Sequence, residues 1–165
     1  MRPGSGGLTV AAAGTGSGPL TASRVLVVAN ETVGAEELLG ELRLLQNEAS
    51  AEYYVCVPAH PLHTGQGAAW SPDASVIAAQ HRLDQVLSIL KDEGLQASGE
   101  LGDYRPLHAL DDAVKKFKPD LIVISTHPEE RSAWLRQDIV ERARSKYNVM
   151  VRHIVSHVPV DIYGT

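Results

Sequence analysis

Two polar segments contain the side chains in this sequence that are best suited to holding a ligand. The first covers residues 30–34 and directly follows an apolar run. The second covers residues 125–132, follows another apolar run, and combines hydroxyl, imidazole and guanidinium groups: Ser125, Thr126, His127, Arg131 and Ser132. A guanidinium binds phosphate or carboxylate through paired hydrogen bonds, and the unpaired N–H groups at a helix start attract anions. The two segments therefore predict a site for a small anionic ligand.

The apolar runs before these segments have the composition of buried strands. Residues 25–29 are continuously apolar and rich in valine, as expected for a strand covered on both faces, and residues 121–124 form the strongest strand pattern in the chain. Further strands are predicted at 52–57, 95–101 and 149–155, and helices at 35–47, 75–93, 106–117 and 133–146. This alternation predicts an α/β fold, a single-domain three-layer α/β/α sandwich around a five-stranded parallel sheet.

The spacing of apolar and charged residues also predicts which side chains of two helices are buried and which face solvent. In the second helix the spacing places five apolar residues on the buried stripe: Ile77, Leu83, Val86, Leu87 and Leu90. In the third helix, the acidic pair Asp111 and Asp112 is expected to face solvent near the helix start.

Ligands of open α/β sheets bind at the carboxyl ends of the strands, where the strand order reverses. If the first and fourth strands are neighbours, the two polar segments meet at that edge. The candidate ligand-binding residues are therefore Asn30, Thr32, Val57, Ser125, Thr126, His127, Arg131, Ser132 and Arg136. No residue is assigned a catalytic or metal-binding role.

Three segments differ in composition. Residues 1–22 consist largely of Gly, Ala, Ser and Thr, which bury too little apolar area to offset the entropy of ordering, so we expect a disordered tail. Residues 23–158 form the predicted domain, and residues 159–165 a C-terminal tail.

Composition excludes several classes of function. Fifteen Lys and Arg against twenty Asp and Glu leave a net charge of −5, which argues against nucleic acid as a partner. No apolar run is long enough to cross a bilayer, and the N-terminus lacks the pattern of a secretory signal, so we expect no membrane insertion and a cytoplasmic location. The single cysteine, Cys56, rules out a disulfide within the chain and a cysteine-based zinc site.

Several blocks of residues 24–157 resemble the universal stress protein family: residues 25–30 its first strand, Gly102 with Asp103 and residues 120–124 its central block, and Glu141 with Arg142 its fourth helix. The resemblance implies a five-stranded parallel sheet in the order 3-2-1-4-5 and a homodimer. It also implies ATP or another adenine nucleotide as the cofactor in many members.

The sequence departs from the family's ATP-binding pattern in two places. Asn30 stands where ATP-binding members have Asp, although Thr32 matches their hydroxyl residue. The glycine-rich motif after the fourth strand is missing, since no glycine lies between residues 103 and 163, and Pro128 removes a backbone donor. Residues 125–138 instead resemble a divergent, actinobacterial-type branch, in which Arg131 or Arg136 is available to bind phosphate.

The interpretation that these residues favour is a universal-stress-like binding or regulatory protein that holds a small anionic ligand, such as an adenine nucleotide, between the first and fourth strands. The alternative is a ligand-free dimeric interaction module with a degenerate site, paired through the apolar edge at residues 149–151. An enzymatic interpretation needs a metal-holding acid. Nothing in the sequence selects one among Glu31, Glu129, Glu130 and Asp138.

Overall fold

A computed structural model describes residues 23–60, 74–128 and 138–157 of the chain. The tails predicted at 1–22 and 159–165 lie outside these residues. The strands are β1 (Arg24–Val28), β2 (Glu52–His60), β3 (Gln96–Asp103), β4 (Leu121–Thr126) and β5 (Met150–Val155). The described helices are α1 (Glu36–Glu48), α2 (Ala74–Asp92), α3 (Pro106–Phe117) and α4 (Ile139–Lys146).

The five strands form one parallel sheet in the order β3-β2-β1-β4-β5. This confirms the predicted α/β class, the parallel sheet and the strand order. Strand β1 lies at the centre, in register with β2 on one edge and with β4 on the other. Its carboxyl end therefore lies between the ends of two neighbouring strands, at the position where the strand order reverses.

Two apolar cores lie on opposite faces of the sheet and produce the three layers. One core packs α1 and α2 against alternate strand residues such as Val25 and Val27. The other packs α3 and α4 against the intervening residues, including Leu26 and Val28. Since both faces of β1 are buried, only a continuously apolar segment is stable there, which explains the composition of residues 25–28.

Strand β4 is longer than its apolar pattern predicts. It continues past Ile124 to Thr126, and Ser125 and Thr126 are both buried. These two residues were expected in the loop after the strand, because they are polar. They remain in the sheet because β5 pairs with β4 as far as Thr126.

The buried stripe of α2 contains Val76 and Ala79 in addition to the predicted residues, Leu87 is partly buried against the core, and Ile77 lies outside it. Val76, Ala79, Leu83, Val86 and Leu90 are buried, whereas Ile77 is 59% exposed. The prediction for Ile77 was therefore wrong. Spacings of three and four residues from Val76 keep the stripe on the sheet, and Ile77 lies outside it.

The described part of the chain contains no helix with the length and apolar character that crossing a membrane requires.

The third helix is tied to the fourth through Asp111, so the expectation that Asp111 faces solvent was wrong. Its carboxylate accepts hydrogen bonds from Lys115 Nζ, Lys146 Nζ and the Tyr147 hydroxyl, each at 3.0 Å. The Lys115 ammonium, followed by Lys146 and Tyr147, holds the pKa of Asp111 far below its usual range. At pH values above the unfolded-state pKa of Asp111, the ionised carboxylate therefore contributes its full stabilisation to the fold.

Replacing Asp111 by Asn is expected to destabilise the protein more at pH 7 than at pH 3. The folded-state pKa is lowered, so its contribution is complete above the unfolded pKa of about 3.9 and is lost as the pH falls toward the folded value. Urea unfolding across this pH range measures the difference between parent and variant. Asp112→Asn at the exposed neighbouring position is the control, and an equal pH dependence in both variants would contradict the prediction.

Gly99 of β3 lies opposite Val55 of β2, where the two strands and α2 leave no room for a side chain. A Cβ at this position would overlap the Val55 carbonyl oxygen and lie 3.1 Å from Leu83 Cδ1. The absence of a side chain is therefore required by the packing of β3 against β2 and α2.

Gly99→Ala is expected to lower the free energy of unfolding by about 1–3 kcal/mol, because the backbone must shift to admit the methyl group. The matched control is Gly40→Ala in α1, where nothing lies within 4 Å of the added Cβ. That change is expected to stabilise the protein by about 0.5–1 kcal/mol, through helix propensity. Urea denaturation compares them, and a Gly99→Ala variant at least as stable as the parent would show that the crowding at Gly99 is unimportant.

Candidate functional site

A chain of buried hydroxyl groups links the carboxyl ends of β1, β4 and β5. Ser125 Oγ donates to Thr32 Oγ1 at 2.8 Å, and Thr32 Oγ1 donates in turn to the Ser125 carbonyl oxygen at 3.3 Å. Ser125 Oγ also lies 2.8 Å from Ser156 Oγ. Because each hydroxyl has one proton and that of Ser125 is used by Thr32, Ser156 must be the donor to Ser125. All three hydroxyl protons are therefore committed within the protein.

Thr126 takes part in a second hydrogen-bonded pair, on the β5 side of β4. Its hydroxyl donates to the His127 carbonyl oxygen at 2.9 Å, and His153 Nε2 lies 2.8 Å away. The hydroxyl proton is already used, so His153 Nε2 must carry the hydrogen of that bond. Burial, with the Arg144 charge adding to it, lowers the pKa of His153 and favours this neutral imidazole.

The side chain of His127 turns back across the sheet edge toward β1. Its Nε2 lies 2.8 Å from Glu31 Oε1, so Nε2 is the donor to the carboxylate. The other ring nitrogen, Nδ1, is buried and has no hydrogen-bond partner within the described residues. Among the His127 ring nitrogens, Nδ1 is therefore the one without a hydrogen-bond partner within the described residues.

Asn30 connects the end of β1 to β2 and α2. Its Nδ2 donates to the Pro58 carbonyl oxygen at 3.3 Å, and its Oδ1 accepts from Arg82 Nη2 at 2.7 Å. The two contacts fix the orientation of the amide, because a carbonyl needs a donor and a guanidinium needs an acceptor. Arg82 therefore lies over the carboxyl end of β1, on the side of β2.

The guanidinium of Arg82 is incompletely satisfied where it lies. Its Nε is buried and has no hydrogen-bond partner among the residues that the structure describes. Burial lowers the pKa of Arg82, and the negative charge of Glu31 offsets part of this effect. An unpaired buried N–H is costly, and the cost is greater for a charged group. Arg82 is thus the clearest available hydrogen-bond donor at this edge.

The structure brings together most of the predicted site residues. Asn30, Thr32, Ser125, Thr126 and His127 lie at the carboxyl ends of β1 and β4. Val57 lies near the end of β2 with its side chain in the core of the α1 and α2 face, so that side chain is not presented to a ligand. Arg131, Ser132 and Arg136 lie outside the described residues, and their role stays a prediction.

Sequence reasoning missed Arg82, His153 and Ser156. Arg82 lies in the middle of α2, beside the buried stripe and not within it. The hydrophobic spacing of the helix therefore gives no sign that this side chain reaches the end of β1. Ser156 and His153 depend on the pairing of β5 with β4. Only the contact between elements far apart in sequence reveals these residues.

Within residues 23–60, 74–128 and 138–157, no group of three or more His, Cys, Asp or Glu side chains is arranged to hold a metal ion. Of the four acids considered for an enzymatic role, Glu31 is paired with His127 and Asp138 is exposed at the start of α4. Glu129 and Glu130 fall outside the described residues.

The fold is shared with solved universal stress proteins. One from Archaeoglobus fulgidus matches with a TM-score of 0.54 at 20% identity, over 81% of this chain and 94% of that one. A structure of the Archaeoglobus fulgidus universal stress protein in complex with dAMP matches with a TM-score of 0.51 at 24% identity, over 82% and 98%. A Burkholderia pseudomallei protein of the same family matches with a TM-score of 0.55 at 18% identity, over 81% and 96%.

No protein-family model matches the sequence, and a search of curated proteins found no relative. The structural likeness confirms the predicted resemblance at the level of the fold. The sheet order and the flanking helices are those expected for the universal stress protein fold.

Ser125→Ala is expected to lower the free energy of unfolding by about 1–3 kcal/mol, because it leaves Thr32 and Ser156 buried without their shared partner. The matched control is Ser145→Ala in α4, where an exposed hydroxyl donates only to the Glu141 carbonyl oxygen of its own helix. The control is expected to be neutral or slightly stabilising. Thermal and urea unfolding test both variants, and a neutral Ser125→Ala would show that the hydroxyl chain contributes little.

Proposed function

We propose that this protein acts by binding, and that it holds a small anionic ligand, most specifically a purine nucleotide, at the carboxyl ends of β1 and β4. The observation that carries the proposal is the partly buried guanidinium of Arg82, held against Asn30 with its Nε unpaired among the described residues. A guanidinium in this state gains a hydrogen bond and charge neutralisation when an anion binds.

The distribution of protons at the sheet edge supports the same proposal. The hydroxyl protons of Thr32, Ser125 and Thr126 are used inside the protein, so these groups have no proton left to donate to a phosphate. A negative ligand must therefore be met by cationic or amide donors. Arg82 supplies one on the β2 side of β1, and the predicted arginines of the segment after β4, Arg131 and Arg136, would supply others.

The fold supports a nucleotide as the ligand class. Open α/β sheets bind ligands where the strand order reverses, which here is the carboxyl edge between β1 and β4. The universal stress protein of the same fold that was solved in complex with dAMP makes a purine nucleotide the first ligand to test.

The test is a titration of the full chain with ATP, AMP, cyclic AMP and IMP, followed by calorimetry and by thermal unfolding. At least one nucleotide is expected to bind and to raise the free energy of unfolding, by about 2.7 kcal/mol at 100 times its Kd. Binding should weaken with added salt, because the recognition is ionic. Flat responses to all four nucleotides would overturn the proposal.

A ligand-free dimeric module is the second candidate, and the free edge of β5 favours it. In the described chain β5 pairs only with β4, and Val155 at its end is 41% exposed. An uncovered edge strand pairs readily with a second copy. A dimer by light scattering together with flat nucleotide titrations favours this function, and a monomer at micromolar concentration counts against it.

A further inference from the structure

Two consecutive residues of the loop between β1 and α1 supply internal acceptors at the carboxyl end of β1. Asn30 Oδ1 accepts from Arg82 Nη2 at 2.7 Å, on the β2 side of the strand. Glu31 Oε1 accepts from His127 Nε2 at 2.8 Å, on the β4 side. The second nitrogen of each donor group, Arg82 Nε or His127 Nδ1, is buried and has no hydrogen-bond partner within the described residues. The protein's own acceptors therefore satisfy only part of the hydrogen-bonding capacity of this edge.

Of these two internal acceptors, the Glu31 carboxylate is the one that a ligand can replace at the smaller cost. Its side chain is 65% exposed, whereas the His127 side chain that it contacts is 16% exposed. A displaced Glu31 carboxylate returns to water, and an ion pair with so exposed a partner is weak. The Asn30 amide is fixed from two directions, by Arg82 and by the Pro58 carbonyl oxygen. An incoming anion therefore displaces Glu31 before it displaces Asn30.

The charge of Glu31 acts on Arg82 as well as on His127. Burial lowers the pKa of Arg82, and the negative charge of Glu31 opposes this effect. The same carboxylate thus accepts a hydrogen bond from an imidazole and offsets the charge of a partly buried guanidinium. A bound phosphate or carboxylate would do both of these things. Glu31 therefore has the position and the sign of charge that an anionic ligand needs.

We infer that Glu31 is an internal competitor of the anionic ligand, and that a ligand phosphate binds by replacing the Glu31 carboxylate on His127 Nε2, within reach of the charge of Arg82. The inference rests on the proposed function, because it takes a phosphate-bearing ligand at this edge as its premise. It deepens that proposal by naming a residue that sets the affinity of the site. Removing the charge of Glu31 strengthens the binding of anions and leaves that of uncharged ligands unchanged.

The test is calorimetric titration of the full chain and of its Glu31→Gln variant with AMP, ATP, cyclic AMP and IMP, and with adenosine as the uncharged counterpart of AMP. Each nucleotide that binds the parent is expected to bind Glu31→Gln with a Kd lower by about threefold or more, because a competing ion pair and a like charge are both removed. Adenosine, which has no phosphate, is expected to show no gain. The gain for the nucleotides should shrink at high salt, which screens exposed charges.

The matched control is Glu36→Gln, which removes the same charge at the start of α1. The Glu36 side chain is 82% exposed and pairs at 3.4 Å with Arg43 of the same helix. Because such a charge is strongly screened by solvent, the control should leave each Kd within about twofold of the parent value. A second variant, Glu31→Ala, also removes the side-chain oxygen that an amide would keep against His127. It should bind the nucleotides at least as tightly as Glu31→Gln.

Unchanged or weaker nucleotide binding by Glu31→Gln, an equal gain for adenosine, or an equal gain in Glu36→Gln would each overturn the inference and leave the proposed function in place. Flat titrations of the parent with all four nucleotides would overturn the proposed function itself, and the inference with it.

Discussion

Strand β1 is buried on both faces and paired on both edges, and the rest of the structure depends on this constraint. Its side chains alternate between the two cores, and its backbone is in register with β2 and β4. A segment in this position must be apolar throughout, because no face of it meets water. The chain can become polar only where the strand ends, at Asn30, and that is where the polar residues of the site begin.

The polar groups at this edge lie beside two apolar cores, so most of them must find partners within the protein. Thr32, Ser125 and Ser156 do so in a closed chain of hydroxyl bonds, and Thr126 does so with His153. These contacts join β1, β4 and β5 at their ends. Arg82 differs, because its guanidinium is tethered by Asn30 while Nε stays unpaired within the described residues. At this edge, the hydroxyl chain is thus assigned to stability, and Arg82 to the ligand recognition that we propose.

Much of the fold could be predicted, because alternating strand and helix patterns permit few topologies. The errors lie where burial comes from pairing between distant elements. Ser125 and Thr126 were predicted to lie in a loop, because hydroxyl residues seldom continue an apolar strand. Their pairing with β5 keeps both residues in β4. Asp111 was predicted to face solvent because its partners, Lys146 at the end of another helix and Tyr147 directly after it, are far away in the sequence.

By itself, the sequence determined the class of fold, the succession of elements and the two polar segments that meet at one edge, because these follow from local hydrophobic periodicity and from the handedness of the crossovers. Only the tertiary structure decided which polar groups at that edge bond to one another and which, like Arg82 Nε and His127 Nδ1, have no partner within the described residues. Arg82 and Asn30 are far apart in the chain and meet through the packing of α2 beside β2 and β1. No local pattern encodes that contact, since it results from the position of a whole helix on the sheet.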